Sequence, residues 1–464
     1  MPKSPATVDV LIELAIKRER RANFGEAIAL LNAAIELDPG RTDAWLHLAE
    51  LQQLAGRTEA SIACFARALA TNPDSLDALV NLGARYLDID QVEDAIGMFE
   101  RAADLQPGDS QIHYNLGLAL NMAGRNEVAL KALSRSCDIN QDNASARFTR
   151  SLILLEEERF AEAWKEYAWR WRLDQSPKLP TGLPEWRGES FDGKTLLVLP
   201  EGGFGDTIWA SRFLPQAKER GGTIVLKTRP ETRRLMAKLE GVDFYVDDDL
   251  DFADFDLLCP ALSLPGCLAF DGLDAPPPSR LYAAEGLDDK IKLLLGRAGS
   301  RLKVGIVWSG SEGFVGNHRR SAPFSRFLAL AQNPDIQFYS LQKSPKQAVL
   351  REQGLGGLIV DADTSDFAET AALIEALDLV VMTDSSIAHV AGSLGKPVWN
   401  ILDFAPYWIY RRQGERTPWY LSMRLFRQKR PGDWAAVFEE VAAALANAVQ
   451  AHRSGRWSDA RFAI

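Results

Sequence analysis

The strongest constraint on this chain is a period of 34 residues in its first third. Stepping by that interval from Ala27 gives Ser61, Ala95, Ala129 and Ala163, all small. Four residues further on stand Leu31, Phe65, Phe99, Leu133 and Tyr167, all large and apolar or aromatic. Ala34, Ala68, Ala102 and Ser136 form a third column, and Pro39, Pro73, Pro107 and then Gln141 a fourth. Upstream, Leu14, Leu48, Leu82 and Leu116 recur, followed by Ala15, Ala49, Gly83 and Gly117. Small residues let helices cross closely, large ones fill the groove between neighbouring units, and proline ends a helix. The period therefore predicts stacked helix pairs over residues 8–172, about five units. The fifth unit departs from the columns, with Arg150, Arg170 and Gln175 where Leu, Ala and Pro are expected. It ends in the aromatic run WKEYAWRWRL, as expected of a terminal unit that caps the stack and docks on the next domain.

After residue 175 the pattern changes. SPKLPTGLPEWRGESFDG (176–193) is rich in Pro and Gly and is expected to be a linker. Short apolar runs then alternate with helical ones. KTLLVLP, TIVLK, VDFYV and FDLLCP are expected strands, with helices DTIWASRFLPQAKER and TRRLMAKL among them. These form a first α/β lobe over 194–275. A break containing three consecutive prolines, Pro276–Pro278, separates it from a second alternating lobe over 285–430. A long amphipathic helix over 433–452 closes the pattern. Such alternation implies parallel sheets of Rossmann type, with ligands at the carboxyl ends of the strands. The fold class is thus α followed by α/β: a helical solenoid, then two Rossmann-like lobes.

Four segments at strand ends carry candidate chemistry. PEGGFGDTIW (200–209) places Gly202, Gly203 and Gly205 before Asp206 at a helix start. Counting from Gly203, Ile208 occupies the third glycine position of a dinucleotide fingerprint, which disfavours a nicotinamide oxidoreductase. LVVMTDSSIAHVAGSLG (379–395) delivers Asp384, Ser385 and Ser386 into a helix N-terminus, with His389 one turn in. Exposed amides and hydroxyls there suit a diphosphate. VWSGS supplies Ser309 and Gly310, followed by Arg320, and YSLQKSP supplies Gln342 and Lys343. Basic groups suit a phosphorylated donor. The plainer alternatives are a capping aspartate at 206, a core histidine at 389 and solvated surface cations. VDDDLDFADFD (246–256) has spacings that could hold a divalent ion, but an acidic surface loop is the better reading.

Composition narrows the field. The net charge of −10 argues against a nucleic-acid partner, and the basic stretch Arg424–Arg430 is expected to be a local surface feature. No apolar run is long enough to span a membrane, and the N-terminus lacks a signal-peptide pattern, so a cytoplasmic protein is expected. The four cysteines fit no zinc spacing, and Cys64 and Cys137 fall where a buried small residue is expected.

The period-34 columns resemble the tetratricopeptide repeat, a scaffold for protein partners. EGGFGDTIWASRFLP (201–215) resembles the first-lobe motif of bacterial glycosyltransferases related to the heptosyltransferases. DFAETAALIEALDLVVMTDSSIAHVAGSLGKPVWNILDFAPYW together with TPWYLSMRLFRQ resembles the second-lobe signature of their repeat-fused subfamily. The arrangement is more distantly similar to O-linked N-acetylglucosamine transferase. The resemblance implies a GT-B fold and an inverting, metal-independent transfer from a nucleotide-sugar co-substrate. It implies Asp206 as general base, with Asp384, Ser385, Ser386 and His389 binding the donor and Lys343 stabilising the departing diphosphate. Arg320-Ser321 resembles the family's Arg-Ser step. Where many relatives carry a lysine before that step, this chain has Phe314, Val315, Gly316 and Asn317. The acceptor is expected to be a protein held by the repeats; the alternative is a scaffold that keeps the transferase fold without activity.

Overall fold

A computed structural model of the chain describes residues 5–176, 178–179, 182–247, 250–287, 289–314, 316–343 and 345–457. The repeat columns become contacts. Ala27, Ser61, Ala95, Ala129 and Ala163 are all fully buried, and the large residues four positions later are buried with them. A Cβ on Gly83 would stand 2.8 Å from the Phe99 ring, and one on Gly117 would stand 2.6 Å from Leu133 Cγ, so these helix pairs cross at the distance glycine allows. Where Ser61 replaces alanine, its hydroxyl donates to the Ala49 carbonyl at 2.8 Å and is satisfied without solvent. Helices Phe24–Leu37, Thr58–Thr71 and Val92–Leu105 each end two residues before a column proline, because the residue before proline is pushed out of helical conformation. Ten helices, from Pro5–Glu19 to Phe160–Tyr167, make the five pairs among the described residues.

Packing divides the chain into two units. One contains residues 1–153 and 172–174; the other contains 154–171 and 175–464. The division falls inside helix Ala144–Glu156 rather than at 172. The last helix of the pattern, Phe160–Tyr167, and the adjoining 3-10 turn Ala168–Arg172 pack largely with the second unit. Phe160 lies 5.1 Å from Phe270, and the Trp164 indole donates to the Phe270 carbonyl at 2.9 Å. The aromatic residues within 160–171 thus belong to the unit that holds the sheets.

The second unit holds two parallel sheets. In the first, β1 (Thr195–Leu199), β2 (Thr223–Lys227), β3 (Phe244–Val246) and β4 (Leu257–Pro260) take the order β3-β2-β1-β4. In the second, β5 (Leu302–Val307), β6 (Ile336–Ser340), β7 (Ile359–Asp361), β8 (Leu379–Thr383), β9 (Val398–Leu402) and β10 (Met423–Arg427) take the order β10-β9-β8-β5-β6-β7. The strand order reverses between β1 and β4, and again between β5 and β8, where Val304 pairs with Leu379 and Val307 with Met382. Those reversals are where an open parallel sheet leaves a crevice for a ligand. The helix Trp434–Arg453 buries Val437, Phe438, Val441 and Leu445 against the second sheet's core.

Several segments differ from expectation: the expected helix 206–220 is broken into Phe204–Ala210, the 3-10 turn Ser211–Phe213 and Leu214–Lys218. Residues 232–239 form no regular helix, because the Leu235 carbonyl is taken by the Tyr282 amide at 2.8 Å and Arg234 is drawn to Asp366. Arg424–Arg430 is not merely surface: its first half is β10, parallel to β9, with Leu425 and Phe426 buried. Arg427 reaches the Gly414 and Arg411 carbonyls, and burial pulls it down to about 10. Within 176–193, Trp186 and Phe191 are buried, and Trp186 donates its amide to the Leu258 carbonyl on β4 at 2.8 Å, so this part of the expected linker is woven into the fold. Pro177, Pro180 and Thr181 of that stretch lie outside the described residues.

The columns predict a measurable asymmetry. Phe99→Ala removes a fully buried ring and is expected to cost about 3–5 kcal/mol. Ala substitution at Val128, exposed on its helix, should stay within about 0.5 kcal/mol. Chemical denaturation followed by circular dichroism measures both.

Candidate functional site

The glycine loop after β1 opens the helix Phe204–Ala210, and Asp206 lies in its first turn. The Gly203 amide donates to Asp206 Oδ2 at 2.7 Å. Gly202 has φ +66°, and a Cβ there would stand 2.5 Å from the same oxygen, so only glycine fits. The Arg229 guanidinium donates to the Gly202 carbonyl at 2.7 Å and covers the Phe204 ring. Burial pushes the Asp206 carboxyl up to about 6; Asp384 and Glu201 add to the rise, while the Gly203 amide and Arg229 oppose it. This carboxylate is capped, yet it is held where it can exchange a proton near neutral pH.

Gly205 joins the two lobes. A Cβ on it would come within 2.5 Å of His389 Cδ2 and 3.2 Å of Ser386 Cα. The start of the Phe204–Ala210 helix therefore rests on the start of Ser386–Ser393, which comes after β8. Ser385 caps that helix, its hydroxyl accepting from the Ile387 amide at 3.4 Å. Asp384 sits at the strand end, with Arg320 Nη1 at 3.6 Å. Burial raises the Asp384 carboxyl, and Arg320 and the Tyr410 hydroxyl oppose the rise. Arg320 lies flat on Gly310, where a Cβ would meet Nη2 at 2.5 Å, and is steadied by Asn317 Oδ1 at 3.1 Å and the Phe314 ring at 4.2 Å. Asp206, Asp384, Ser385, Ser386, Gly310 and Arg320 are thus gathered at the β5/β8 reversal.

Four other candidates are placed differently. His389 is only 5% exposed, with Nδ1 3.0 Å from the Tyr420 hydroxyl and Nε2 3.5 Å from the Tyr410 hydroxyl. Burial lowers it to about 3, with Arg212 adding, so it is neutral, and both ring nitrogens face tyrosine hydroxyls. Gln342 is also buried. Its Oε1 accepts from the Trp308 and Ser309 amides at 3.1 and 3.0 Å, and its Nε2 donates to the Ser309 and Lys343 carbonyls at 3.0 and 2.8 Å. Its polar atoms are committed to holding the 308–310 loop. Ser309 is equally enclosed, bonding Ser321 at 2.9 Å and Lys346 at 2.8 Å. Lys343 turns to the Thr364 carbonyl and to Asp363 at 3.6 Å. It therefore lies against β7's loop rather than at the β8 helix where a departing diphosphate is expected.

Sequence reasoning missed several groups. Asp403 comes directly after β9, and burial beside Asp384 pushes it up to about 6, with Arg319 and Arg412 opposing. Its place just after an apolar strand was a usable signal. Tyr410 and Tyr420 had no such signal, because they come from loops that only the fold brings under His389. Of the acidic 246–256 run, Asp248 and Asp249 lie outside the described residues, as does Val315 of the second-lobe loop. Asp256 Oδ2 accepts from the Thr195 amide at 2.8 Å, and Asp251 caps a 3-10 turn. No group of three or more His, Cys, Asp or Glu among the described residues is placed to hold a metal ion.

The raised Asp206 carboxyl has a stability consequence. Its folded value, about 6, lies above the ordinary 3.8, so ionising it costs folding free energy between those values and above. Asp206→Asn, which keeps the acceptor oxygen for Gly203, is expected to melt above the wild type at pH 8. The gap should close as pH falls below about 4; thermal melts across pH check it.

Tetratricopeptide-repeat models match residues 20–86 and 80–144. Protein FlbA of Caulobacter vibrioides is 27% identical over 343 residues, covering 66% of this chain and 55% of that protein. The chain thus spans little more than half the length of the curated relative it matches. Among solved structures, MamA of Desulfovibrio magneticus RS-1 is 17% identical, covering 35% of this chain and 92% of its own, with a TM-score of 0.34. The pilF protein of Pseudomonas aeruginosa is 24% identical, covering 35% of this chain and 75% of its own, with a TM-score of 0.32. The N-terminal region of the chain is a tetratricopeptide-repeat array of the kind that takes part in protein interactions, and a region of parallel sheets comes after it.

Proposed function

We propose that the two parallel-sheet lobes form a glycosyltransferase, which moves a sugar from a nucleotide diphosphate donor to an acceptor hydroxyl. The observation that carries this reading is the meeting of Asp206 with the Ser386–Ser393 helix start through Gly205. That meeting joins a carboxylate able to take a proton to the helix start next to Asp384, whose partner Arg320 is able to hold phosphate. The acceptor oxygen attacks the anomeric carbon, the bond from that carbon to the diphosphate oxygen breaks, and the acceptor proton passes to Asp206. One displacement inverts the anomeric centre. The leaving diphosphate takes its stabilisation from the Ser385 and Ser386 end of the helix and from Arg320. These groups lie where a metal ion would otherwise supply positive charge, which supports a metal-independent step. Asp384 holds Arg320 in place and lies near enough to Asp206 to raise it. The repeats supply the reason to propose a protein acceptor, captured by the array and glycosylated by the lobes.

Calorimetry and product detection with a panel of nucleotide sugars test the reading. One donor should bind, and its sugar should transfer in the presence of EDTA; loss of turnover on chelation would overturn the metal-free step. Asp206→Asn should retain donor affinity and lose about 10²-fold or more in kcat. Because the base must be ionised, kcat/KM should rise with pH through a midpoint near the Asp206 value of about 6. Absence of both binding and transfer across the panel would leave the scaffold reading instead.

A further inference from the structure

Arg170 stands in the small-residue column formed by Ala34, Ala68, Ala102 and Ser136, at the unit where that column turns large and charged. It lies in the turn Ala168–Arg172 and is buried in the second unit. Its Nε donates to Glu201 Oε1 at 2.5 Å and its Nη2 to Glu201 Oε2 at 3.0 Å. Nη2 also reaches Ser263 Oγ at 2.6 Å, and Nη1 donates to the Tyr167 carbonyl at 2.9 Å. Tyr167 and Trp171 flank the guanidinium at 4.3 and 4.6 Å. Glu201 opens the glycine loop after β1, and Ser263 comes after β4. Arg170 therefore fills the chain's own β1/β4 reversal, the crevice that an open parallel sheet ordinarily leaves for a ligand.

A two-point fork on a nearly buried carboxylate is directional, and half of such a pair left alone in the interior is costly. Glu201 lies five positions before Asp206, and three of the intervening four residues are glycines. A loop so rich in glycine has little stiffness of its own. Its shape is held at one end by the Arg170 fork, at Gly202 by Arg229, and at Gly203 by Asp206 itself.

We infer that Arg170 is a positioning residue for the glycine loop: by clamping Glu201 it makes the end of the last repeat set where Asp206 stands. The catalytic consequence rests on the transferase reading; the coupling of Arg170 to Asp206 does not. The groups facing Asp206 are Asp384 from the second lobe, Glu201 and Arg229 from the first, and the Tyr167 and Tyr407 hydroxyls. Tyr167 and Cys259 are the further titratable neighbours of the Arg170–Glu201 pair. Removing the Arg170 charge leaves Glu201 uncompensated and favours protonated Asp206; removing the Glu201 charge favours the ionised form.

The test tracks the Asp206 carboxyl by 13C NMR in aspartate-labelled full-length protein, the signal being assigned by its loss in Asp206→Asn. In Arg170→Met the midpoint should move to higher pH, and in Glu201→Gln to lower pH. Opposite movements are not expected of a residue that only stabilises the fold. Arg170→Met should also lower kcat about 10²-fold through misplacement of the base, with donor Kd unchanged. Arg170→Lys, which keeps the charge but not the fork, should hold the wild-type midpoint and recover kcat in part. If Arg170→Met does not fold, Glu201→Gln and the double variant Arg170→Met/Glu201→Leu, which leaves no unpaired charge, carry the test. Midpoints that stay at the wild-type value in the folded variants overturn the inference. A wild type that transfers from no donor while the midpoints move as stated overturns the transferase reading and leaves the coupling standing.

Discussion

The close approach of Gly205 to His389 is the contact on which the rest of the site depends. Each lobe ends a strand with a helix start, and each start carries a carboxylate, Asp206 in one and Asp384 in the other. Any side chain at 205 would drive the helices apart, because the obstructing atoms are an imidazole held by two tyrosines and the backbone of Ser386. His389 is as firm as the tyrosines behind it, and Tyr420 itself packs on Gly392, where a Cβ would stand 2.6 Å away. Two glycines and one neutral histidine thus set the separation of the two acids.

That separation has an electrostatic price. Asp206, Asp384 and Asp403 are all raised, each first by burial. Arg320, Arg229 and Arg319 answer this charge only in part. Like charges gathered near helix N-termini with partial compensation do little for stability and much for proton exchange, which is how perturbed carboxylates mark functional sites. The Arg170–Glu201 pair is the contrasting case: fully forked, buried and paired, it braces the loop that carries one of the raised acids.

Much of the fold was legible in the residues. The repeat columns specify helix crossings because each column has one steric task, and the tasks are met atom by atom at Gly83, Gly117 and Ser61. The strands were legible because a strand buried on both faces is a short apolar run. Residues 232–239 carry a helical pattern, but that pattern does not reveal that a distant amide takes the Leu235 carbonyl. The strand Met423–Arg427 was missed because the 424–430 stretch is dominated by basic residues, and the Arg427 charge is absorbed by carbonyls from another loop.

A 34-residue helical repeat ahead of alternating parallel-sheet lobes is legible in the residues alone, as are Asp206 and Asp384 at points where a strand gives way to a helix. Those are local facts, set by spacing, by glycine and by capping. Which candidates face one another is a property of the packed fold. The packed fold brought Asp206 toward Asp384 and Arg229, turned Lys343 away, and committed Gln342 and His389 to holding loops and tyrosines. It also gave the aromatic end of the repeats to the α/β unit. Those outcomes depend on partners far apart in the chain, and a buried polar group goes wherever the fold offers it a hydrogen bond.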